Sequence, residues 1–201
     1  MFKQFKNLGL LKYQVVKVQA CPRHIDLLAT IASHNYQKYQ IDYWLHFMKT
    51  EAPKCSSIYI IILKRSDNKM LFHVENIHNN IIYGGILMLV DRTYIDKYKA
   101  KHKEIYIRLL CSKYNCGSIL LQTANEYATS AKASRISLHT EPQAISFYKK
   151  YNYIITKQYD SYYLNFMRYP LMVKYINNNI IDIDIETDKP WLGWGYDLGW
   201  L

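Results

Sequence analysis

The sequence predicts a mixed α/β domain, one central mixed β-sheet with helices on both faces. Two observations carry that expectation. Residues 58–90 hold short apolar, β-branched runs separated by polar turn segments, the pattern of an antiparallel meander. Residues 104–153 then alternate strand, helix, strand and helix, which implies a right-handed crossover and two neighbouring parallel strands.

The elements follow in chain order. Tyr13–Gln19 reads as a first strand. Pro22 opens a helix, since proline suits a first helical turn, and Ile25, Leu28, Ile31 and Ala32 fall on one face. Gln40–Met48 reads as a second helix, ended before Pro53. Ile58–Lys64 is a strand, Ser66-Asp67-Asn68 a turn, Met70–Val74 a short strand and Glu75–Asn80 a loop. Ile81–Val90 is the next strand, and Gly84-Gly85 within it marks a bulge or a close backbone approach. A charged linker, Asp96–Lys103, precedes the strand Glu104–Cys111. Gly117–Lys132 is a helix with Leu120, Ala124, Tyr127, Ala128 and Ala131 in one stripe. Ile136–Thr140 is a strand. Thr140-Glu141-Pro142-Gln143 fits a capping box for a helix that buries Ala144, Phe147, Tyr148 and Tyr151. Tyr153–Lys157 and Tyr162–Arg168 read as a closing hairpin.

Composition narrows the function classes. The longest apolar runs, Ile58–Leu63 and Ile86–Val90, fall far short of the ~20 residues a membrane-spanning helix needs. No apolar stretch follows the first residues as in a secretory signal, so a cytoplasmic protein with no membrane partner is expected. Cys21, Cys55, Cys111 and Cys116 form no CxxC pair and have no histidine cluster beside them, so free thiols and no metal are expected. The net charge is +10. After Asn177 five acids stand against one base, which leaves 25 bases and 11 acids, a net +14, in the rest of the chain. Such a body attracts anions, whether a phosphorylated cofactor, nucleic acid or an acidic substrate.

Three segments resemble the GNAT-type N-acetyltransferases. Ile105-Tyr-Ile-Arg-Leu-Leu-Cys111 is similar to the strand that precedes that family's cofactor loop. Asn115-Cys116-Gly117-Ser118-Ile119-Leu120-Leu121 resembles the end of its Q/R-x-x-G-x-G/A loop and the helix after it. Ile136 to Tyr153, with Ala144 and Tyr148 four apart, resembles its A-x-x-x-Y-x-x-x-G-F strand and helix. Tyr83-Gly-Gly-Ile86 is similar to the preceding strand. The loop departs from the pattern: Asn115 stands where the family has its first glycine, Ser112 where it has Gln or Arg, and the loop is about three residues short. Asn tolerates the left-handed backbone such a turn demands.

The resemblance implies a GNAT-like acyl-CoA N-acyltransferase fold over residues 1–170, with 171–201 as an extension. It implies acetyl-CoA as co-substrate, no metal, and acetyl transfer to a primary amine by direct attack in a ternary complex. Backbone donors at the helix that Gly117 opens suit a pyrophosphate. Cofactor contacts fall on Leu109, Leu110, Cys111, Asn115, Cys116, Gly117, Ser118, Thr140 and Ala144, with the N–H groups of 109–111 polarising the thioester carbonyl. Tyr148 is expected as the acid that protonates the leaving thiolate. Glu104 is expected as the general base, with His139 next in line. Alternation places Glu104, Tyr106 and Arg108 on one side of their strand, opposite Ile105, Ile107 and Leu109.

The C-terminus differs from the rest. Ile180–Ile185 alternates Ile with Asp as a half-buried strand does, and Trp191, Trp194 and Trp200 stand among Gly193, Gly195 and Gly199. It reads as an apolar lid on the domain or as a docking segment for a protein partner. Three functions stay open: an acetyltransferase, a catalytically degenerate GNAT-fold binding protein, and a basic nucleic-acid-binding module. The last is disfavoured because Lys and Tyr are scattered and no RNP or helix-turn-helix signature occurs. The positive body suits an anionic amine acceptor better than a polycationic one.

Overall fold

The structure, a computed structural model, describes residues 6–8, 11–35, 39–65, 82–96, 98–156, 163–164 and 167–176. The turn Ser66–Asn68, the strand Met70–Val74, the loop Glu75–Asn80, the strand Ile180–Ile185 and the Trp-rich segment all lie outside the described residues.

The elements run β1 (Lys6–Leu8), β2 (Leu11–Val18), α1 (Pro22–Asn35), α2 (Ile41–Glu51), β3 (Ser57–Arg65), β4 (Ile82–Ile95), β5 (Lys101–Ser112), α3 (Gly117–Ser130), β6 (Arg135–His139), α4 (Ile145–Lys149), β7 (Ile154–Ile155), β8 (Tyr163–Leu164), β9 (Met167–Arg168) and β10 (Leu171–Tyr175). Eight strands form one sheet in the order β1-β2-β3-β4-β5-β6-β10-β7, with β8 and β9 paired separately. Every pair in the large sheet is antiparallel except β5–β6. The parallel pair needs the α3 crossover between its strands, as the alternation of strand and helix anticipates.

Each face of the sheet is covered by one helix pair. Ile58, Ile60, Ile86, Met88 and Cys111 pack with α1 and α2, while Ile61, Leu63, Leu87, Leu89, Ile105 and Ile107 pack with α3 and Tyr148 of α4. The central strands are therefore buried on both faces, which is why they read as continuous apolar runs rather than as alternation. Pro22 does open α1, and Ile25, Leu28, Ile31 and Ala32 are its buried face. No helix among the described residues is long and apolar enough to cross a membrane.

Two bulges set which way key residues point. In β3–β4 the register shifts from Ile61↔Gly85 to Ile62↔Tyr83, leaving Gly84 as the extra residue. A Cβ on Gly84 would lie 2.6 Å from Cys116 Sγ, so only glycine fits there. In β4–β5 the register passes from Leu89↔Ile107 to Met88↔Leu109, leaving Arg108 extra. That bulge corrects the alternation expected for β5: Leu109 moves to the α1/α2 face, opposite Ile107.

Further corrections concern connections. Asp96–Lys103 is not a linker: β4 runs to Ile95, β5 begins at Lys101, and Asp96 Oδ1 closes the turn by accepting the N–H groups of Tyr98 and Ala100. The capping box at Thr140 does not form. Pro142 begins a 3-10 turn, Pro142–Ala144, and α4 starts only at Ile145. Thr140 Oγ1 instead donates to the carbonyl of Glu141, and the Gln143 amide donates to the Glu141 carboxylate. The closing hairpin is also different. β7 pairs with β10 through Met172↔Ile155 and Val173↔Ile154, while β8 and β9 pair with each other. β10 inserts between β6 and β7, so Leu171–Tyr175 is part of the sheet and the boundary expected at 170 cuts through the domain.

Candidate functional site

The site grows from the way β5 and β6 part. They pair in parallel at Glu104↔Arg135, Ile105↔Ile136 and Tyr106↔Ser137, and no further. β5 continues to Ser112, held by β4 alone, and β6 continues to His139, held by β10. Past the fork, half of the peptide groups of Leu109–Cys111 point toward the gap rather than to β4, because a strand directs its backbone groups alternately to its two sides. Such groups need partners.

A cleft of about 330 Å³ lies at this fork. Its lining comes from Tyr39, Tyr43, Trp44 and Phe47 at α2, Tyr106–Cys111 of β5, Leu138–Glu141 at the end of β6, Ala144 and Tyr148 at α4, and Tyr169. Tyr148 is 6% exposed, and its ring meets Phe147 and Tyr153 edge-on at 5.1 and 5.7 Å between centroids. Burial, with a smaller contribution from Cys111, pushes its phenol well above the ordinary tyrosine range. It is therefore a neutral proton donor at physiological pH.

His139 is fixed by Tyr106, whose hydroxyl lies 3.0 Å from its Nδ1, and the Arg92 guanidinium covers the Tyr106 ring at 3.6 Å. Arg108 Nε donates to Glu51 Oε2 at 2.8 Å. Burial acts to raise the Glu51 carboxyl, but Lys54 and Arg108 together outweigh it and hold the group below its ordinary value.

Beyond the cleft, the chain turns into α3 through Tyr114 and Asn115, both in the left-handed region at φ 54° and 58°. Asn115 thus supplies the turn that a glycine would otherwise make. No side chain caps α3, whose first N–H groups lack intrahelical acceptors. Gly117 is fixed by its surroundings: a Cβ there would come 2.9 Å from Phe147 Cζ and 3.0 Å from Ser112 Oγ.

Solved structures share this arrangement of elements. Ard1 from Thermoplasma volcanium is 16% identical with a TM-score of 0.51, over 82% of this chain and 98% of that one. An acetyltransferase from Streptococcus agalactiae is 12% identical with a TM-score of 0.52, over 81% and 98%. A protein described as an N-acetyltransferase from Lactobacillus plantarum is 14% identical with a TM-score of 0.52, over 82% and 99%. The chain has the GNAT fold. No family model and no curated protein matches the sequence.

Within the GNAT fold the expected site residues divide into three groups. Leu109, Leu110, Cys111, Thr140, Ala144 and Tyr148 meet in the cleft. Asn115, Cys116, Gly117 and Ser118 lie apart from its lining, at the start of α3. The Cys116 side chain faces the core at Gly84, and Ser118 Oγ donates back to the carbonyl of Asn115 at 3.2 Å, so this stretch presents its backbone. Glu104 does not reach the cleft: it lies two residues before Tyr106, about 7 Å back along β5. There its Oε1 accepts from Arg135 Nε at 3.0 Å, with both side chains 8% exposed. The thiols of Cys111 and Cys116 are pushed by burial up to about 12 and about 11, so neither is a nucleophilic thiolate at neutral pH. Among the described residues no group of His, Cys, Asp and Glu is placed to hold a metal ion.

Sequence reasoning missed the α2 wall. Tyr39, Tyr43 and Phe47 recur every four residues, a signal present in the chain, but nothing local says that this face meets β5.

Proposed function

We propose that this chain is an N-acetyltransferase that moves an acetyl group from acetyl-CoA to a primary amine by direct attack in a ternary complex. The observation that carries the reading is the fork of β5 from β6 with Tyr148 buried beside it. Open backbone groups at Leu109–Cys111 suit a pantetheine arm added as a strand would be. The uncapped start of α3 suits a pyrophosphate, because its N–H groups and dipole both favour negative charge. Acetyl-CoA, when bound, supplies an activated acetyl thioester.

The chain's own groups then do three things. An N–H of Leu109–Cys111 donates to the carbonyl oxygen on which charge develops. Tyr148 keeps its proton in the buried site and gives it to the departing sulfur. The amine's proton passes to the acid–base groups of the lining, His139 and Glu141, directly or through water. Glu104, committed to Arg135, takes no part.

Calorimetric titration with acetyl-CoA, beside a Gly117→Glu control, tests the cofactor half. Saturable binding lost in the control is expected; absence of binding overturns the reading. Thiol release with an amine panel tests the transfer half. Binding without release would leave a degenerate GNAT-fold protein.

A further inference from the structure

The α2 side of the cleft is a ladder of flat rings. Tyr39 and Tyr43 stack at 4.3 Å and 25°, and Tyr43 and Phe47 continue the series at 6.3 Å and 24°. Trp44, 4% exposed, meets all three edge-on, at 6.1, 5.3 and 5.6 Å, and so fixes their pitch. At one end Phe47 abuts Arg108 of β5, whose guanidinium lies 5.6 Å from the ring centre. Tyr43 is 37% exposed.

Charge and ring geometry select the guest. Among the described lining residues Arg108 is the one Arg or Lys, and Glu51 already neutralises it at 2.8 Å. Glu141 adds a carboxylate. The positive body therefore draws anions at long range, but the cleft itself offers an anion little. Tyr43 stacks with Tyr39 on one side and Phe47 on the other, so the part of its ring left to the cleft is its edge. Edges carry the positive end of the ring quadrupole, so they favour another π face over an ammonium. We propose that the acceptor is a primary amine carried on an aromatic ring system, which seats against the Tyr39–Tyr43–Phe47 ladder with its amine toward the β5–β6 fork. This rests on the acetyl-transfer reading and specifies its substrate class.

The test uses the full chain with phenethylamine, hexylamine, glucosamine 6-phosphate and a polylysine peptide. Thiol release from acetyl-CoA and equilibrium binding of each amine are measured separately. Phenethylamine is expected to exceed hexylamine about fivefold in kcat/KM, which corresponds to about 1 kcal/mol and lies within what an aromatic pair adds beyond burial. Tyr43→Ala, an exposed position whose folding is checked by circular dichroism, is expected to abolish that preference while acetyl-CoA binding stays within about twofold. Equal or better turnover of hexylamine, the sugar phosphate or polylysine overturns the acceptor class and leaves acetyl transfer standing. Phenethylamine binding that weakens in Tyr43→Ala, without thiol release from any amine, overturns acetyl transfer and with it the acceptor class, and leaves the ladder as an aromatic-amine binding site. No phenethylamine binding at all overturns the proposal.

Discussion

Glu104 and Arg135 form a buried ion pair that ties the roots of the two parallel strands together, with Nε to Oε1 at 3.0 Å and the guanidinium stacked 3.5 Å over the Tyr94 ring. The pair sits at the first of the three positions where β5 and β6 are in register, two residues before they part. It holds the closed end of the fork whose open end is the cleft.

Breaking that pair by Glu104→Gln leaves a buried guanidinium without its counter-charge, and is expected to cost about 3 kcal/mol of unfolding free energy. Replacing both partners, Glu104→Leu with Arg135→Met, is expected to restore most of that stability, because the desolvation penalty of both charges is then removed. Chemical denaturation checks the stabilities. Thiol release by the folded double variant within about threefold of the parent would agree with a structural role. A loss of 100-fold or more would return Glu104 to catalysis.

Tyr148→Phe removes the proposed acid and keeps the ring. Thiol release is expected to fall about 100-fold, the low end for a general acid, while the calorimetric affinity for acetyl-CoA changes less than about twofold. Unchanged turnover would assign Tyr148 to packing alone.

The strained turn into α3 gives a backbone test. Tyr114 adopts a left-handed φ of 54° without the side-chain chemistry that eases Asn115 into the same region. Tyr114→Gly is expected to stabilise the fold by about 1 kcal/mol, and Asn115→Val to destabilise it by about 2 kcal/mol. Thermal melts of the two variants should move in opposite directions, and a Tyr114→Gly melt below the parent's contradicts the strain.

The alkaline limb of stability follows from Tyr148 and Tyr153. Burial raises both phenols above the ordinary value of 10.0, with Cys111 adding to the shift at Tyr148 and Tyr148 to that at Tyr153. Unfolding lets them ionise near that ordinary value, so the unfolded chain binds fewer protons above it. The contribution of these two phenols is therefore intact below pH 10 and falls as pH rises from there, while the buried thiols of Cys111 and Cys116 start the decline earlier, from their ordinary value of 9.0. Unfolding free energy measured from pH 8 to 11 should decline at the top of the range, and less steeply in Tyr148→Phe. A flat profile, or equal slopes, contradicts the burial of these phenols.

The sequence by itself determined the elements and the part of the site that is local to them. Apolar periodicity located α1 and α3, the alternation of strand and helix implied the parallel pair, and Gly117, Tyr148 and Gly84-Gly85 stood out because turns, helix starts and bulges demand particular residue types. Tertiary structure decided which strand lies beside which and what each face meets. β10 enters between β6 and β7 by long-range pairing, which no local pattern encodes. The Arg108 bulge exists only in the β4–β5 register, and it turns Leu109 to the face that α2 covers. The same long-range contacts gave Glu104 a buried partner 31 residues away and set the rings of Tyr39, Tyr43 and Phe47 against β5. Periodicity tells a residue that it is buried, whereas partner and position in the cleft depend on how separate segments pack.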